Sequence, residues 1–190
     1  MKSKKILIIV DGQNDFREGG KLPVEGGTEA LNRVADFIRE HGKEYLSIIL
    51  TADWHPITHC SFKDNGGIWP PHCVEFSVGG AIYQPILDAL AETNADYVVL
   101  TKGCDEDHEE YSIFKNDLSA TYLKTLNNHN DIEVVDYAGL ALDYCVKDSI
   151  MDGKKVFTKS KSRLFKDLTA AIGKPEETYD YLTNNEVEIV

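Results

Sequence analysis

Three residues of different chemistry, Asp11, Lys102 and Cys145, each stand just beyond a short apolar run of the chain. Cys145 lies in the run GLALDYCVKDSI (139–150), behind the apolar run 132–135, where a helix is expected to open. Free backbone N–H groups and the positive end of a helix dipole favour thiolate over thiol at such a position. Asp11 follows the run 5–10 and Lys102 follows 97–100. Were these runs parallel strands of one sheet, a nucleophile, an acid and a cation would share an edge. Asp11 can then take the thiol proton and later pass it to a leaving amine. Lys102 balances thiolate and carboxylate charge, and the N–H groups of Ala141 and Cys145 can form an oxyanion hole. Singly, each residue has a plainer reading: Cys145 as a small buried apolar side chain, Asp11 as a turn residue, Lys102 as a solvated strand end.

A second set has the chemistry of metal ligands. Asp53 and His55 are two apart, so in extended chain their side chains point the same way. His72, in the run WPPHC (69–73), supplies a third ligand and His59 is a fourth candidate. Two imidazoles with a carboxylate suit one divalent metal, zinc first and iron or manganese as alternatives, with positions left open for water or substrate. The competing reading is surface histidines in a loop. Cys60 and Cys73 read as buried packing residues, and His41, His108 and His129 as solvated. Phe16, Trp69 and Tyr111 lie beside the polar groups, where a flat aromatic ligand can stack, although each also fits ordinary loop packing. Asp15 has no derivable role.

Strand-like and helix-like segments alternate along the chain. Strands are expected over 5–10, 46–51, 97–100, 132–135, weakly over 155–157, and over 186–190. Helices are expected over 28–39 with Thr28 as N-cap, then over 82–92, 120–127, 143–151 and 176–182, the last started by Pro175. The irregular stretch 52–80, rich in Gly, Pro, His and aromatics, is long enough to imply function. The alternation predicts an α/β protein, three layers αβα with a mostly parallel sheet of about six strands. In that class ligands bind beyond the carboxyl ends of the strands, where Asp11, Asp53, Lys102 and the 141–145 turn all fall. No repeat or linker divides residues 1–190, so one domain is expected.

Composition narrows the partners. A net charge of −12 makes nucleic acid a poor one but permits a small neutral or cationic ligand. No apolar run is long enough to cross a bilayer, and the run 6–10 behind the basic N-terminus is too short for a signal-peptide core. A cytoplasmic protein with no membrane partner is expected. The four cysteines form no CxxC pair, which argues against a disulfide framework or a zinc finger.

With these residues in view, the chain resembles the nicotinamidase branch of the isochorismatase-like cysteine hydrolases over almost its whole length. The runs IIVDGQNDF (8–16), TADWHPITHCSF (51–62), WPPHC (69–73), TKG (101–103) and GLALDYCV (139–146) carry the likeness. The resemblance implies an isochorismatase-like hydrolase fold, Asp11, Lys102 and Cys145 as catalytic residues, and Asp53, His55 and His72 as metal ligands. It implies Phe16, Trp69 and Tyr111 around the substrate ring and a cis bond between Leu140 and Ala141. The implied activity is metal-dependent hydrolysis of nicotinamide to nicotinate and ammonia through a cysteine thioester, serving NAD salvage, with pyrazinamide as a second substrate. The metal segments set this branch apart from the alternative, a metal-independent amide or vinyl-ether hydrolase of the same superfamily. Leu142 stands where a threonine is common, Gly153 arrives about one helical turn early, and TKSKSR (158–163) replaces an acidic, alanine-containing segment. The last departures bear on packing or on a homo-oligomer surface, which stays open.

Overall fold

The computed structural model describes residues 3–190; Met1 and Lys2 of the basic N-terminal run lie outside the described residues. In chain order the elements are β1 (Lys5–Val10), α1 (Gly27–His41), β2 (Ser47–Asp53), α2 (Gln84–Thr93), β3 (Tyr97–Lys102) and α3 (Asp117–Asn130). Then follow β4 (Val134–Gly139), α4 (Lys147–Val156), β5 (Lys161–Thr169), α5 (Pro175–Asn184) and the short β6 (Glu188–Ile189). The strands form one sheet, parallel throughout, in the order β3-β2-β1-β4-β5-β6.

Strand geometry divides β1 between two cores, because alternate side chains point to opposite faces. Leu7 and Ile9 join Leu31 and Val34 of α1 and Ile86 and Leu90 of α2. Ile6, Ile8 and Val10 join Leu123 of α3, Ile150 of α4 and Leu182 of α5. The result is the expected three-layer αβα arrangement, with a strand buried on both faces. Burying each such side chain contributes about 1.5–3 kcal/mol.

Several element ends move, and the moves matter for the site. Strands β2 and β3 run two residues further than expected, so Asp53 and Lys102 are the last residues of paired strands rather than loop residues. Strand β4 runs on to Gly139 past buried Asp136, which ion-pairs with Arg163 and accepts from the Tyr45 hydroxyl, at 2.7 Å each. The weak strand expected over 155–157 is wrong. Lys155 and Val156 end α4, and the fifth strand is Lys161–Thr169. Its apolar signal was diluted by Lys161, Arg163, Lys166 and Asp167, although Ser162, Leu164 and Leu168 are buried. The Thr28 cap is also wrong. Helix α1 starts at Gly27, and the Glu18 carboxylate accepts from the N–H groups of Gly26 and Thr28, each at 2.8 Å.

The departures from the family pattern are accommodated by packing. Leu142 is fully buried in the α3–α5 layer, and its N–H donates to Ala170 O at 2.8 Å. Gly153 faces the Tyr137 hydroxyl and the Phe114 ring, leaving no room for a side chain. Arg163, in the altered 158–163 segment, is the partner of Asp136.

Candidate active site

Strand order reverses between β1 and β4, which opens a crevice at their carboxyl ends. Asp11 directly follows β1, Asp53 ends β2, Lys102 ends β3, and Cys145 lies in a π-helical turn, Leu142–Val146, between β4 and α4. The chain leaves β4 at Gly139, whose φ is +108° and whose missing Cβ would collide with the Val10 backbone. The Leu140–Ala141 peptide bond is cis, as the resemblance implied.

Lys102 is the hub of the first cluster. Its buried ammonium lies 2.9 Å from Asp11 Oδ2, ion-pairs with Asp53 Oδ1, and donates to Cys145 Sγ at 3.4 Å. Burial alone would lower its pKa, but the two carboxylates outweigh that and hold it charged. Asp11 is held by Thr51, whose hydroxyl donates to Oδ1 at 2.6 Å, while Oδ2 accepts no directed hydrogen bond. Burial raises the Asp11 carboxyl, against the pull of Lys102 and with added push from Asp53. Burial works against the thiolate formation expected from the sequence. Cys145 is buried, which drives its thiol up against the pull of the Lys102 ammonium, with Asp11 and Asp53 adding to the rise. One carboxylate oxygen of Asp11 lies within 4.8 Å of Cys145 Sγ.

The second cluster meets the first through Asp53. Its Oδ2 lies 3.6 Å from His55 Nε2 and 3.9 Å from His72 Nε2, and ligand atoms of all three residues fall within 4.8 Å of one another. His55 Nδ1–H donates to Gly103 O at 2.9 Å and His72 Nδ1–H to Pro70 O at 2.8 Å. Backbone carbonyls thus fix both tautomers and aim both Nε2 lone pairs inward, the arrangement of histidines that hold a metal. The donor set fits a divalent cation of the zinc type, with open coordination positions. Gly103 is constrained too: its φ is +64°, and a Cβ there would strike the His55 ring. His59 does not join this set. Its Nε2–H donates to His108 O at 3.1 Å, its Nδ1 is 2.7 Å from Ser61 Oγ, and its ring packs on His55 at 4.1 Å. Burial lowers its pKa to about 4, so it is neutral.

Between the clusters opens a narrow pocket. Phe16, Trp69, Tyr111, Ala141, Cys145, Asp53, His55 and His72 all line it. Trp69 Nε1–H donates to the Tyr111 hydroxyl at 3.0 Å, bracing two of the aromatic walls. Wider surface grooves, such as that lined by Arg33, Lys166 and Tyr179, carry none of these groups.

Sequence reasoning missed several contributors. Tyr144 and Glu109 line the pocket, and no local pattern marked either. Gln13 and Asp15 lie in the IIVDGQNDF run but face backbone rather than ligand. Gln13 accepts from Asp53 N–H at 2.8 Å and donates to Asp53 O and Gly80 O. Asp15 accepts from the N–H groups of Cys73 and Lys21 at 2.8 and 3.1 Å, pinning the segment that carries His72. Of the histidines expected in solvent, His108 and His129 are exposed and His41 is partly covered by Phe37. Cys73 is buried as expected, but Cys60 is only partly so.

Comparison with known proteins places the chain in a family. Residues 5–155 match the Isochorismatase domain. The chain is 36% identical to the nicotinamidase/pyrazinamidase of Mycobacterium tuberculosis, over 88% of this chain and 87% of that protein. Among solved structures, the pyrazinamidase of Pyrococcus horikoshii in complex with zinc is similar with a TM-score of 0.84 at 30% identity, covering 98% of each chain. PnC1 of L. infantum in complex with nicotinate has a TM-score of 0.85 at 31% identity, covering 100% of this chain and 93% of that one. A cysteine beside a buried acid and cation, next to a carboxylate–histidine set in one narrow pocket, thus coincides with sequence likeness along nearly the whole chain: the protein belongs to the isochorismatase-like cysteine hydrolases, in their nicotinamidase branch.

Proposed function

We propose that the protein is a nicotinamidase, hydrolysing nicotinamide to nicotinate and ammonia through a cysteine thioester, with pyrazinamide as a second substrate. The observation that carries the reading is that Asp53 belongs to both clusters, pairing with Lys102 beside Cys145 and facing His55 and His72. A ring anchored on the histidine side therefore presents its carboxamide to the thiol. Phe16, Trp69 and Tyr111 flank the ring, which fixes its orientation. Cys145 Sγ attacks the amide carbon as Asp11 accepts the thiol proton, and the N–H groups of Ala141 and Cys145 hold the oxyanion. The C–N bond breaks as Asp11 delivers the proton to the departing ammonia. Asp11 then accepts a proton from the water that cleaves the thioester, and the thiol is regenerated with release of nicotinate. Lys102 stays charged throughout and offsets the negative charge that collects near Asp11.

Asp53, His55 and His72 would hold one divalent metal, zinc by analogy with the P. horikoshii neighbour, with iron or manganese as alternatives. Such an ion supplies a Lewis-acid anchor for the ring nitrogen. Its ready-made ligand set is what disfavours the metal-independent hydrolase alternative. The described chain acts as one domain, the single sheet being the support. Its substrate is a small molecule rather than nucleic acid or membrane, and its work, NAD salvage, lies in the cytoplasm; no helix is long and apolar enough to cross a membrane among the described residues.

Cys145→Ala should abolish ammonia release from nicotinamide while the zinc-loaded protein still binds the substrate by calorimetry. Residual turnover within about tenfold of the unmodified enzyme would remove Cys145 as nucleophile.

A further inference from the structure

One acidic side chain of the pocket belongs to neither cluster. Glu109 lines the cavity with Tyr111, Trp69 and Cys145 from an exposed position at its rim. Among the described residues its carboxylate accepts one hydrogen bond, from the Glu110 N–H at 3.1 Å. No lysine or arginine lines the pocket, and the nearby Lys102 is already committed to Asp11 and Asp53.

The segment carrying Glu109 is held in place from both sides. His59 donates to His108 O at 3.1 Å, and the Cys60 N–H donates to Glu106 O at 2.7 Å. On the other flank the Glu110 carboxylate accepts from the Gly103 N–H at 2.7 Å. Glu110 points back into the fold, and its neighbour Glu109 is left at the mouth.

The reaction changes the charge of what the pocket holds. A neutral carboxamide enters, and a carboxylate must leave past Glu109. We propose that Glu109 is a specificity-determining residue: its negative charge at the rim disfavours carboxylates, so that the pocket admits the neutral amide and sheds the acid it makes. This rests on the amidase reading above. It adds that the rim discriminates by charge between two ligands of nearly the same shape. The electrostatic effect of one such charge in a partly desolvated pocket is about five- to tenfold in relative affinity and weakens with salt.

The test is calorimetry on zinc-loaded protein in the Cys145→Ala background, with nicotinate and nicotinamide as probes. In the added Glu109→Gln variant the ratio of nicotinate Kd to nicotinamide Kd should fall about fivefold or more at low salt. The change should shrink at about 0.5 M salt, and Glu109→Asp should restore most of the ratio. A ratio unmoved by Glu109→Gln overturns the proposal. So does a parallel shift of both ligands, the signature of a steric role. Loss of zinc affinity in a chelator competition, without a change in the ratio, overturns it in favour of a ligand role. If neither probe binds even with Glu109 present, the amidase reading falls and the proposal with it; if both bind but discrimination ignores Glu109, only the proposal falls.

Discussion

At the scale of single residues, the site depends on side chains that never touch a ligand. Gln13 uses its whole carboxamide on backbone, bracketing Asp53 from both its N–H and C=O sides and tying in Gly80. Each buried group left unpaired costs about 1–3 kcal/mol. Gln13→Ala should therefore lower both stability and zinc affinity, the latter by about tenfold in a chelator competition, because Asp53 is no longer held against His55 and His72. Unchanged zinc affinity would mean that Asp53 is fixed by Lys102 alone. Gln13 was visible in the sequence but uninterpretable there: an uncharged side chain two residues after Asp11 gives no hint that it reaches across to β2. Cys145 is the reverse case. Its identity was legible, but its environment was not, because the burial that pushes its thiol up comes from packing rather than from the nearby helix start.

At the scale of elements, helix α1 shows a cap supplied from a distance. Glu18, nine residues before the helix begins, accepts from Gly26 and Thr28 N–H groups, and Thr28 and Gly26 together hold its carboxyl at about 2. Its folded pKa lies below the unfolded value, so its stabilisation is present above about pH 4.5 and is lost as pH falls through about 2. Glu18→Gln should cost about 0.5–1 kcal/mol near neutral pH, less than the pKa alone suggests because the side chain is exposed. Urea unfolding should show that the gap between the two proteins narrows as pH drops toward about 3; a constant gap would remove the charge as its source. Sequence reading placed the helix correctly by its apolar spacing and missed the cap, since a partner eight residues upstream lies outside any capping box. The fifth strand was missed for a related reason. A strand whose charged side chains find partners in neighbouring elements, as Arg163 does with Asp136, looks polar until those neighbours are known.

At the scale of the whole molecule, the fold converts a parallel sheet into a site by reversing strand order between β1 and β4. Residues separated by up to 134 positions, Asp11 and Cys145 at the extremes, meet there. Since the three proposed ligands come from strand β2 and the long loop behind it, metal binding should stabilise the native state as a whole. Zinc at roughly a hundredfold excess over its Kd contributes about 2.7 kcal/mol, which raises Tm by about 5–10 °C for a chain of this size. His72→Ala should remove most of that rise in differential scanning calorimetry; a full rise in the variant would move the metal elsewhere. The sequence by itself determined the alternation of strands and helices, and it offered Cys145, Asp11 and Lys102 as candidate catalytic side chains and Asp53, His55 and His72 as candidate ligands. These are properties of residue type and short spacing, which survive without knowledge of neighbours. Only the tertiary structure decided that Asp53 serves both clusters, that His59 faces a carbonyl instead of the ligand set, that Cys145 is buried and that Glu109 stands at the rim. Each of those depends on which strands lie side by side and on how completely water is excluded between them, and neither is a local property of the chain.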